Sequence, residues 1–212
     1  MQSRVYCPLC SSGTIPFDEF RGRQYYRCLR CHSILLDPKM RLSKEKEKNR
    51  YEEHNNDVED IRYQQFVAPI VEKVKDMFTQ SHLGLDFGAG TGPVITKLLR
   101  EAGYQVELYD PLFYNDPGKL EQKYDYIVCC EVMEHFIFPG RELNLLRSLL
   151  KPNGSLFCMT EIYCDQIDFQ QWHYKNDPTH VFFYHQHALS WIKSNYGFSG
   201  LKRQGRLIHF EA

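Results

Sequence analysis

The sequence predicts an α/β fold in which a doubly wound, mostly parallel sheet carries helices on both faces and ends on an antiparallel strand. Short apolar segments alternate with segments of helical periodicity from residue 83 onward, and a glycine-rich turn joins the first of these strands to a helix. Two pairs of cysteines within the first 31 residues predict a small metal-bound ribbon ahead of the sheet.

The composition is that of a globular protein with room for one α/β domain and a small appendage in 212 residues. No apolar run approaches the roughly 18 residues that cross a bilayer, so we expect no membrane span. The segment that starts at Met1 lacks the apolar stretch of a secretory signal, which favours a reducing, cytoplasmic location and free cysteines. The formal net charge of −1 does not suggest the broad positive surface that attracts nucleic acid.

The N-terminal cysteines form two C-x-x-C pairs with 17 residues between them, namely Cys7, Cys10, Cys28 and Cys31. Each pair can direct two thiolates at one ion, and two pairs complete a tetrahedral set. The spacing therefore predicts a structural zinc ribbon over residues 1–38. Iron also suits four thiolates, and surface thiols spaced by chance are the alternative without a metal.

Residues 39–80 are predicted to be a linker followed by a helix. The charge run Lys44–Lys48 is typical of a solvated linker or of the exposed start of a helix. From Ile61 apolar residues recur at helical spacing as far as Phe78, and Pro69 is expected to kink or restart that helix. We expect its aromatic residues to lie in the core, although a helix in this position can also close over a ligand.

The remainder, residues 81–212, alternates strands and helices as a Rossmann-like domain does. The predicted strands are Gly84–Phe87, Gln105–Tyr109, Tyr124–Cys130, Ser155–Thr160, Gly200–Gln204 and Leu207–Glu211. The predicted helices are Val94–Ala102, Arg141–Leu150 and Ala188–Tyr196.

The glycine-rich turn has the pattern D-x-G-x-G-x-G over Asp86–Gly92. A carboxylate before the first glycine would repel a pyrophosphate but suits an amine. Asp110 ends the second predicted strand, where a carboxylate can accept both hydroxyls of a ribose. The pair fits S-adenosylmethionine, and the alternative for both residues is ordinary capping of strand ends.

With these motifs the sequence resembles the class I S-adenosylmethionine-dependent methyltransferases from Gly84 to Ala212. The resemblance includes the segments Leu108–Pro111, Tyr124–His135 and Leu150–Leu156. It implies a cofactor site built from the glycine turn and from two later segments: Asp86, Gly88, Ala89, Gly90, Asp110, Pro111, Leu112, Glu131 and Val132. One departure concerns Tyr124, which follows Asp110 by only 14 positions, so a helix and a strand of the family are shortened or lost there.

The segment Glu131–His135 is the first candidate for catalysis, because it leaves a predicted strand at the edge of the sheet where ligands bind. His135 is the leading candidate for a general base, with Glu134 beside it. Similar E-x-x-E-H segments occur in quinone O-methyltransferases, a resemblance that implies a divalent ion near Glu131 and His135. The alternative is that Glu134 and His135 only cap the following turn.

A second candidate segment, Trp172–His187, is rich in aromatic residues and contains four of the nine histidines. It resembles the insertion that covers the substrate in related methyltransferases, and His180 could face the acceptor as a base or as a ligand. His185 and His187 could simply begin the last helix.

The favoured function is methyl transfer from S-adenosylmethionine to a small-molecule acceptor. An alternative is an RNA methyltransferase that holds RNA with its zinc ribbon. The net charge of −1 disfavours this alternative. The second cysteine pair also disfavours it, because rRNA guanine methyltransferases have a Cys and His arrangement there. The third hypothesis is a non-catalytic adaptor with a methyltransferase-like scaffold. The presence of Asp86, Asp110 and Glu131 disfavours it.

Overall fold

The computed structural model describes residues 5–53 and 57–212 as ten strands, five helices and four short 3-10 turns. The strands are β1 (Thr14–Phe20), β2 (Arg23–Cys28), β3 (Ile34–Leu36), β4 (Leu83–Phe87), β5 (Gln105–Tyr109), β6 (Tyr124–Cys130), β7 (Leu150–Met159), β8 (Phe182–Phe183), β9 (Gly200–Gln204) and β10 (Leu207–Glu211). The helices are α1 (Lys44–Glu53), α2 (Ile61–Met77), α3 (Val94–Glu101), α4 (Pro139–Leu149) and α5 (Gln186–Asn195). Residues 1–4, which entered the expectation about a secretory signal, lie outside the described residues.

Six strands form the central sheet in the order β5-β4-β6-β7-β10-β9. The pairs that join β5, β4, β6 and β7 are parallel, whereas β10 runs antiparallel to both β7 and β9. The α/β fold with a mostly parallel sheet and an antiparallel final strand is therefore confirmed. No helix within the described residues has both the length and the apolar character of a membrane span.

Most predicted segments agree with the structure to within a residue or two, and β7 is the main exception. It begins at Leu150, five residues before the predicted Ser155, and Leu150 pairs with Tyr124 before the register with β6 shifts. The irregularity accommodates Pro152 and the positive φ of Asn153, turn-like residues that argued against a strand. Helix α4 begins two residues early because Pro139 occupies its first turn, where a missing N–H costs nothing.

The shortened stretch after β5 lacks a strand of its own. Between Asp110 and Tyr124 the described residues form one isolated bridge, from Asp110 to Tyr114, and the 3-10 turn Pro117–Leu120. This agrees with the loss that the short spacing predicted.

Helix α2 covers one face of the sheet. It runs without interruption through Pro69, so the predicted restart is not observed. Its buried residues Val67, Ile70 and Val74 pack with α3 and with inward-facing residues of β6 and β7. Helix α1, in contrast, buries no residue of its own.

The cysteine-rich region is joined to the rest of the molecule through a shared sheet. Strands β1, β2 and β3 form an antiparallel ribbon, and β3 continues it by pairing with β8. Cys7 and Leu35 also belong to the same buried cluster as Leu143 and Tyr184. Residues 5–38 thus contribute to one core with the later domain, and the division at residues 38 and 80 stays a prediction.

Candidate active site

The candidate site lies where the chain order of the central sheet reverses. From β4 the chain passes to β5 on one side of β4 and then to β6 on its other side. The carboxyl ends of β4 and β6 therefore open a crevice, which is where ligands bind in folds of this kind.

The turn after β4 depends on two glycines with positive φ, +80° at Gly88 and +61° at Gly90. A Cβ atom on Gly88 would meet Cγ2 of Val132 at 2.5 Å, so only glycine lets the turn approach the end of β6. A Cβ atom on Gly90 would project into open space, with no atom within 4 Å. The turn thus leaves room for a ligand beside Gly90, as a bound cofactor would require.

Asp86 is buried at the end of β4 and accepts a hydrogen bond from Thr96 Oγ1 at 2.8 Å. Burial raises its pKa to about 6, although the hydrogen bond from Thr96 opposes the shift. A cationic amine beside this carboxyl group would favour its ionised form. The structure thus places Asp86 in the crevice and gives it a second role in anchoring α3.

Asp110 is buried after β5 and joins two loops. Its Oδ2 accepts from the backbone N–H of Gly90 at 3.0 Å, and its Oδ1 accepts from Leu112 at 2.8 Å and from Phe113 at 3.1 Å. The carboxylate therefore holds the glycine turn against the β5 loop, as strand-end capping would. Pro111 and Leu112 lie in that loop, and Pro111 is exposed.

A cleft beside the glycine turn is lined partly by residues that the sequence analysis did not select. Asp86, Gly88 and Ala89 line one side, Cys130 lies at the end of β6, and Tyr63 and Val67 of α2 face them. The helical periodicity of α2 favoured a core position for Tyr63, with closure over a ligand as the alternative. In the structure, Tyr63 lines the crevice.

Glu131 follows β6 in a strained conformation, with φ of +52°. Its Oε2 accepts from Arg206 at 2.6 Å and from Tyr174 at 3.1 Å, whereas its buried Oε1 has no partner among the described residues. Burial, and next the neighbouring Glu134, raise the pKa of Glu131 to about 7. An unpaired buried oxygen beside the crevice fits a missing polar ligand.

Glu134 is completely buried in the 3-10 turn Met133–His135. Its Oε1 accepts from Tyr174 Oη at 2.5 Å and its Oε2 accepts from Thr160 Oγ1 at 2.9 Å. Burial raises the pKa of Glu134 to about 7, against these hydrogen bonds. A carboxyl group held in this way can carry or release a proton near neutral pH.

His135 and His180, far apart in sequence, come together over Glu134. The Nδ1 of His135 lies 3.0 Å from the Thr179 carbonyl oxygen, and the Nδ1 of His180 lies 2.6 Å from that of Tyr174. Because a carbonyl oxygen only accepts, each Nδ1 carries the proton, and each Nε2 lone pair is free. Both Nε2 atoms lie 3.9 Å from Glu134 Oε1.

Burial keeps both imidazoles neutral. It lowers the pKa of His135, and it lowers that of His180 to about 3 with a contribution from His135. Neutral imidazole is the form that accepts a proton or ligates a metal. Glu134, His135 and His180 place one ligand atom each within 4.8 Å of one another, a spacing that can hold a metal ion. Glu131, which the resemblance placed beside this ion, does not belong to the set.

Two further side chains, Arg206 and Tyr51, complete the cluster, and the sequence pattern did not indicate either of them. Arg206, in the β9–β10 turn, binds Glu131 and also Glu161 at 3.2 Å. Tyr51 of α1 contacts the His135 ring edge to face, with centroids 5.3 Å apart. No local motif marks Arg206 or Tyr51, since both act through contacts between distant segments.

The four cysteines of the ribbon converge as their spacing predicted. Cys7 and Cys31 Sγ atoms are 3.6 Å apart, and those of Cys10 and Cys28 are 3.3 Å apart. A tetrahedral zinc ion with Zn–S bonds of about 2.3 Å separates its sulfur atoms by about 3.8 Å. The donor set therefore fits a structural zinc ion.

Comparison with known proteins identifies the family. The family model described as "Methyltransferase domain" matches residues 32–202. The ubiquinone biosynthesis O-methyltransferase of Klebsiella pneumoniae is 32% identical over 77 residues, which cover 36% of this chain and 32% of that protein. The matched segment thus spans about a third of the curated relative.

Solved structures agree in fold. A SAM-dependent methyltransferase from Archaeoglobus fulgidus superposes with a TM-score of 0.52 at 20% identity, over 66% of this chain and 71% of that one. An O-methyltransferase family protein from Burkholderia thailandensis gives 0.51 at 16% identity, over 70% and 56%. The family model covers most of the chain, and the glycine turn and sheet order agree with it. The chain therefore belongs to the methyltransferase domain family.

Proposed function

We propose that this protein transfers a methyl group from S-adenosylmethionine to a small-molecule acceptor. The observation that carries the proposal is the buried cluster of Glu134, His135 and His180 at the carboxyl end of β6, next to the glycine turn. A site that only bound a nucleotide would have no need for a buried carboxyl group facing two neutral imidazoles. The ubiquinone biosynthesis enzymes among the relatives support an acceptor with a hydroxyl group.

The donor side would be formed by the glycine turn and two carboxylates. Asp86 would face the amino group, the open space at Gly90 would receive the methionine end, and Asp110 would accept from the ribose hydroxyls. Bound S-adenosylmethionine supplies a methyl group already activated by its sulfonium, so alignment is the main task of the protein.

On the acceptor side, His135 or His180 would remove the proton of the acceptor. Its Nε2 takes the proton as the acceptor oxygen forms a bond to the methyl carbon, while the carbon–sulfur bond breaks and leaves a neutral thioether. The carbonyl groups of Thr179 and Tyr174 then stabilise the imidazolium through the two Nδ1–H groups. Glu134, 3.9 Å from both Nε2 atoms, would add a compensating charge.

We also propose that the same three side chains hold a divalent ion. One carboxylate oxygen and two imidazole nitrogens suit a first-row transition metal. Such an ion would lower the pKa of an acceptor hydroxyl group. Activity that is lost when a chelator removes this ion but leaves the ribbon zinc bound, and that a single metal restores, supports the ion. Activity that is unchanged after the same removal supports the histidine base alone.

The ribbon cysteines would hold a structural zinc ion, with Cys7, Cys10, Cys28 and Cys31 as its ligands. The cytoplasmic location remains a prediction, and a nucleic-acid partner is not favoured.

The test is transfer of label from methyl-labelled S-adenosylmethionine to two pools, a metabolite extract and total RNA. We expect the wild type and a control variant on β5, Glu107→Gln, to label the metabolite pool, and Glu134→Gln to label neither. Label in RNA would establish the RNA methyltransferase instead. Absence of label in both pools, with a folded protein, would favour the adaptor.

A further inference from the structure

A second group of histidines lies outside the active site, between the ribbon and α5. His32 follows the second cysteine pair, His185 caps the N-terminus of α5, and His187 lies in its first turn. One ring nitrogen of each lies within 4.8 Å of the others. Residues separated by more than 150 positions thus bring three metal-ligating groups to one place.

The closest pair has the spacing of two ligands on one ion. The Nδ1 atoms of His32 and His187 are 3.1 Å apart. Tetrahedral zinc with Zn–N bonds of about 2.0–2.1 Å separates two nitrogen ligands by about 3.3 Å. Without an ion, two neighbouring Nδ1 atoms face each other, and one of them must be a protonated donor to the other.

The residue after each cysteine pair has a left-handed backbone, namely Ser11 with φ of +57° and His32. The φ of His32 is +60°, a left-handed conformation that glycine adopts without strain. The imidazole therefore occupies a position where a residue without a side chain would be conformationally cheaper. Its ring contacts those of both His187 and His185, with centroids 4.5 and 5.4 Å apart.

The charges around the group are balanced. Asp165 Oδ2 lies 3.9 Å from His185 Nε2, and Asp165 Oδ1 is bound by Arg27 at 2.6 Å. A cation bound among the three histidines would therefore meet no uncompensated positive charge from Arg27. His185 Nδ1 accepts a long hydrogen bond of 3.2 Å from the backbone N–H of His187, the one contact that ligation through this atom would replace.

We propose that His32, His185 and His187 bind a borderline divalent cation such as Zn²⁺, separate from both the cysteine set and the active site. Three imidazoles are a common ligand set for such ions, and water or Asp165 would take a fourth position. The ion would link the ribbon to α5 and fix the far end of the segment that runs from His180 through β8. Its role is structural, and it is independent of whether the protein transfers methyl groups.

Two variants remove ligands with little risk to the fold. His32→Gly deletes the imidazole and relieves the strain of positive φ, and His187→Ala alters an exposed residue on α5. His82→Asn, which changes a histidine in the α2–β4 connection, is the matched control. The full-length proteins are loaded with excess Zn²⁺, passed through a desalting column and analysed for zinc.

We expect His32→Gly and His187→Ala each to hold about one zinc ion fewer per chain than the wild type and His82→Asn. Cobalt substitution then identifies the lost site, because thiolate-to-cobalt absorption from the cysteine set should persist in both variants. Zinc added beyond the cysteine set should raise the melting temperature of the wild type more than that of His187→Ala, which keeps only the ion proposed at Glu134, His135 and His180. Equal zinc content in His187→Ala and the wild type would overturn the proposal, as would loss of the thiolate band together with the zinc in both variants.

Discussion

The donor and acceptor sides of the crevice are built in different ways. On the donor side, the glycine turn and Asp110 come from two adjacent strands and are joined by backbone N–H groups. On the acceptor side, Glu131 and Glu134 follow β6, whereas His180 and Arg206 come from two later segments, and the four meet as charged and polar groups. Under the proposed function, local geometry would hold the cofactor, whereas contacts across the whole chain would assemble the reacting groups.

The ribbon belongs with the acceptor side. Its strand β3 pairs with β8, the Leu36 N–H donates to the Val181 carbonyl, and Arg23 donates to the Lys175 carbonyl. All three contacts support the segment that carries His180. Loss of the ribbon should therefore affect turnover more than cofactor binding, which makes the comparison testable.

The largest effect is expected from Cys10→Ser, which removes one proposed zinc ligand. Zinc binding contributes on the order of 10 kcal/mol in small zinc modules, so the ribbon should lose its structure. We expect turnover to fall at least about 100-fold while the dissociation constant for S-adenosylmethionine rises less than about tenfold, measured by label transfer and by calorimetry. Equal losses of both would show that the ribbon supports the two sides alike.

Glu134→Gln tests the acceptor side alone. The amide keeps the shape and a hydrogen bond from Tyr174, but it removes the charge that faces the two imidazoles. We expect the turnover number to fall by about 10²–10⁴-fold, the usual range for a proton-transfer group, with cofactor affinity nearly unchanged. Turnover within threefold of the Glu107→Gln control would remove Glu134 from the chemistry.

Asp110→Asn tests the donor side alone. Hydrogen bonds to charged groups contribute about 1.5–3 kcal/mol, so the dissociation constant for S-adenosylmethionine should rise about 10–100-fold. Asp116→Asn, six residues later on the surface of the same loop, controls for changes in the loop itself. If the two variants bind the cofactor equally well, Asp110 only caps the loop.

The smallest effect concerns the pH dependence of Asp86. Because its folded-state pKa is raised from 3.8 to about 6, the native protein retains a proton that the unfolded chain has released. This retained proton stabilises the folded state fully below pH 3.8, and the stabilisation is lost as the pH rises through 6. Asp86→Asn should therefore gain about 2 kcal/mol relative to the wild type between pH 4 and pH 8, measured by denaturant unfolding without cofactor. A constant difference across this range would contradict the raised pKa.

The sheet and the glycine turn could be predicted because their signals are local. Strands such as Gln105–Tyr109 and Tyr124–Cys130 have the predicted bounds, and the short spacing after Asp110 indicated the lost strand. The sequence indicated His135 and His180 as two separate candidates, but it did not indicate that their rings lie together. Arg206 and Tyr51 gave no signal, since an arginine in a hairpin turn and a tyrosine on a charged helix are ordinary until the tertiary contacts exist.

The most direct test of the account is calorimetric titration of the wild-type protein with S-adenosylmethionine. We predict one binding site per chain with a dissociation constant in the range of about 1 μM to 1 mM that is typical for enzyme substrates, retained in Glu134→Gln and weakened in Asp110→Asn. A folded, zinc-loaded protein that binds no S-adenosylmethionine at millimolar concentration would contradict the central claim that the crevice between β4 and β6 is a methyl-donor site.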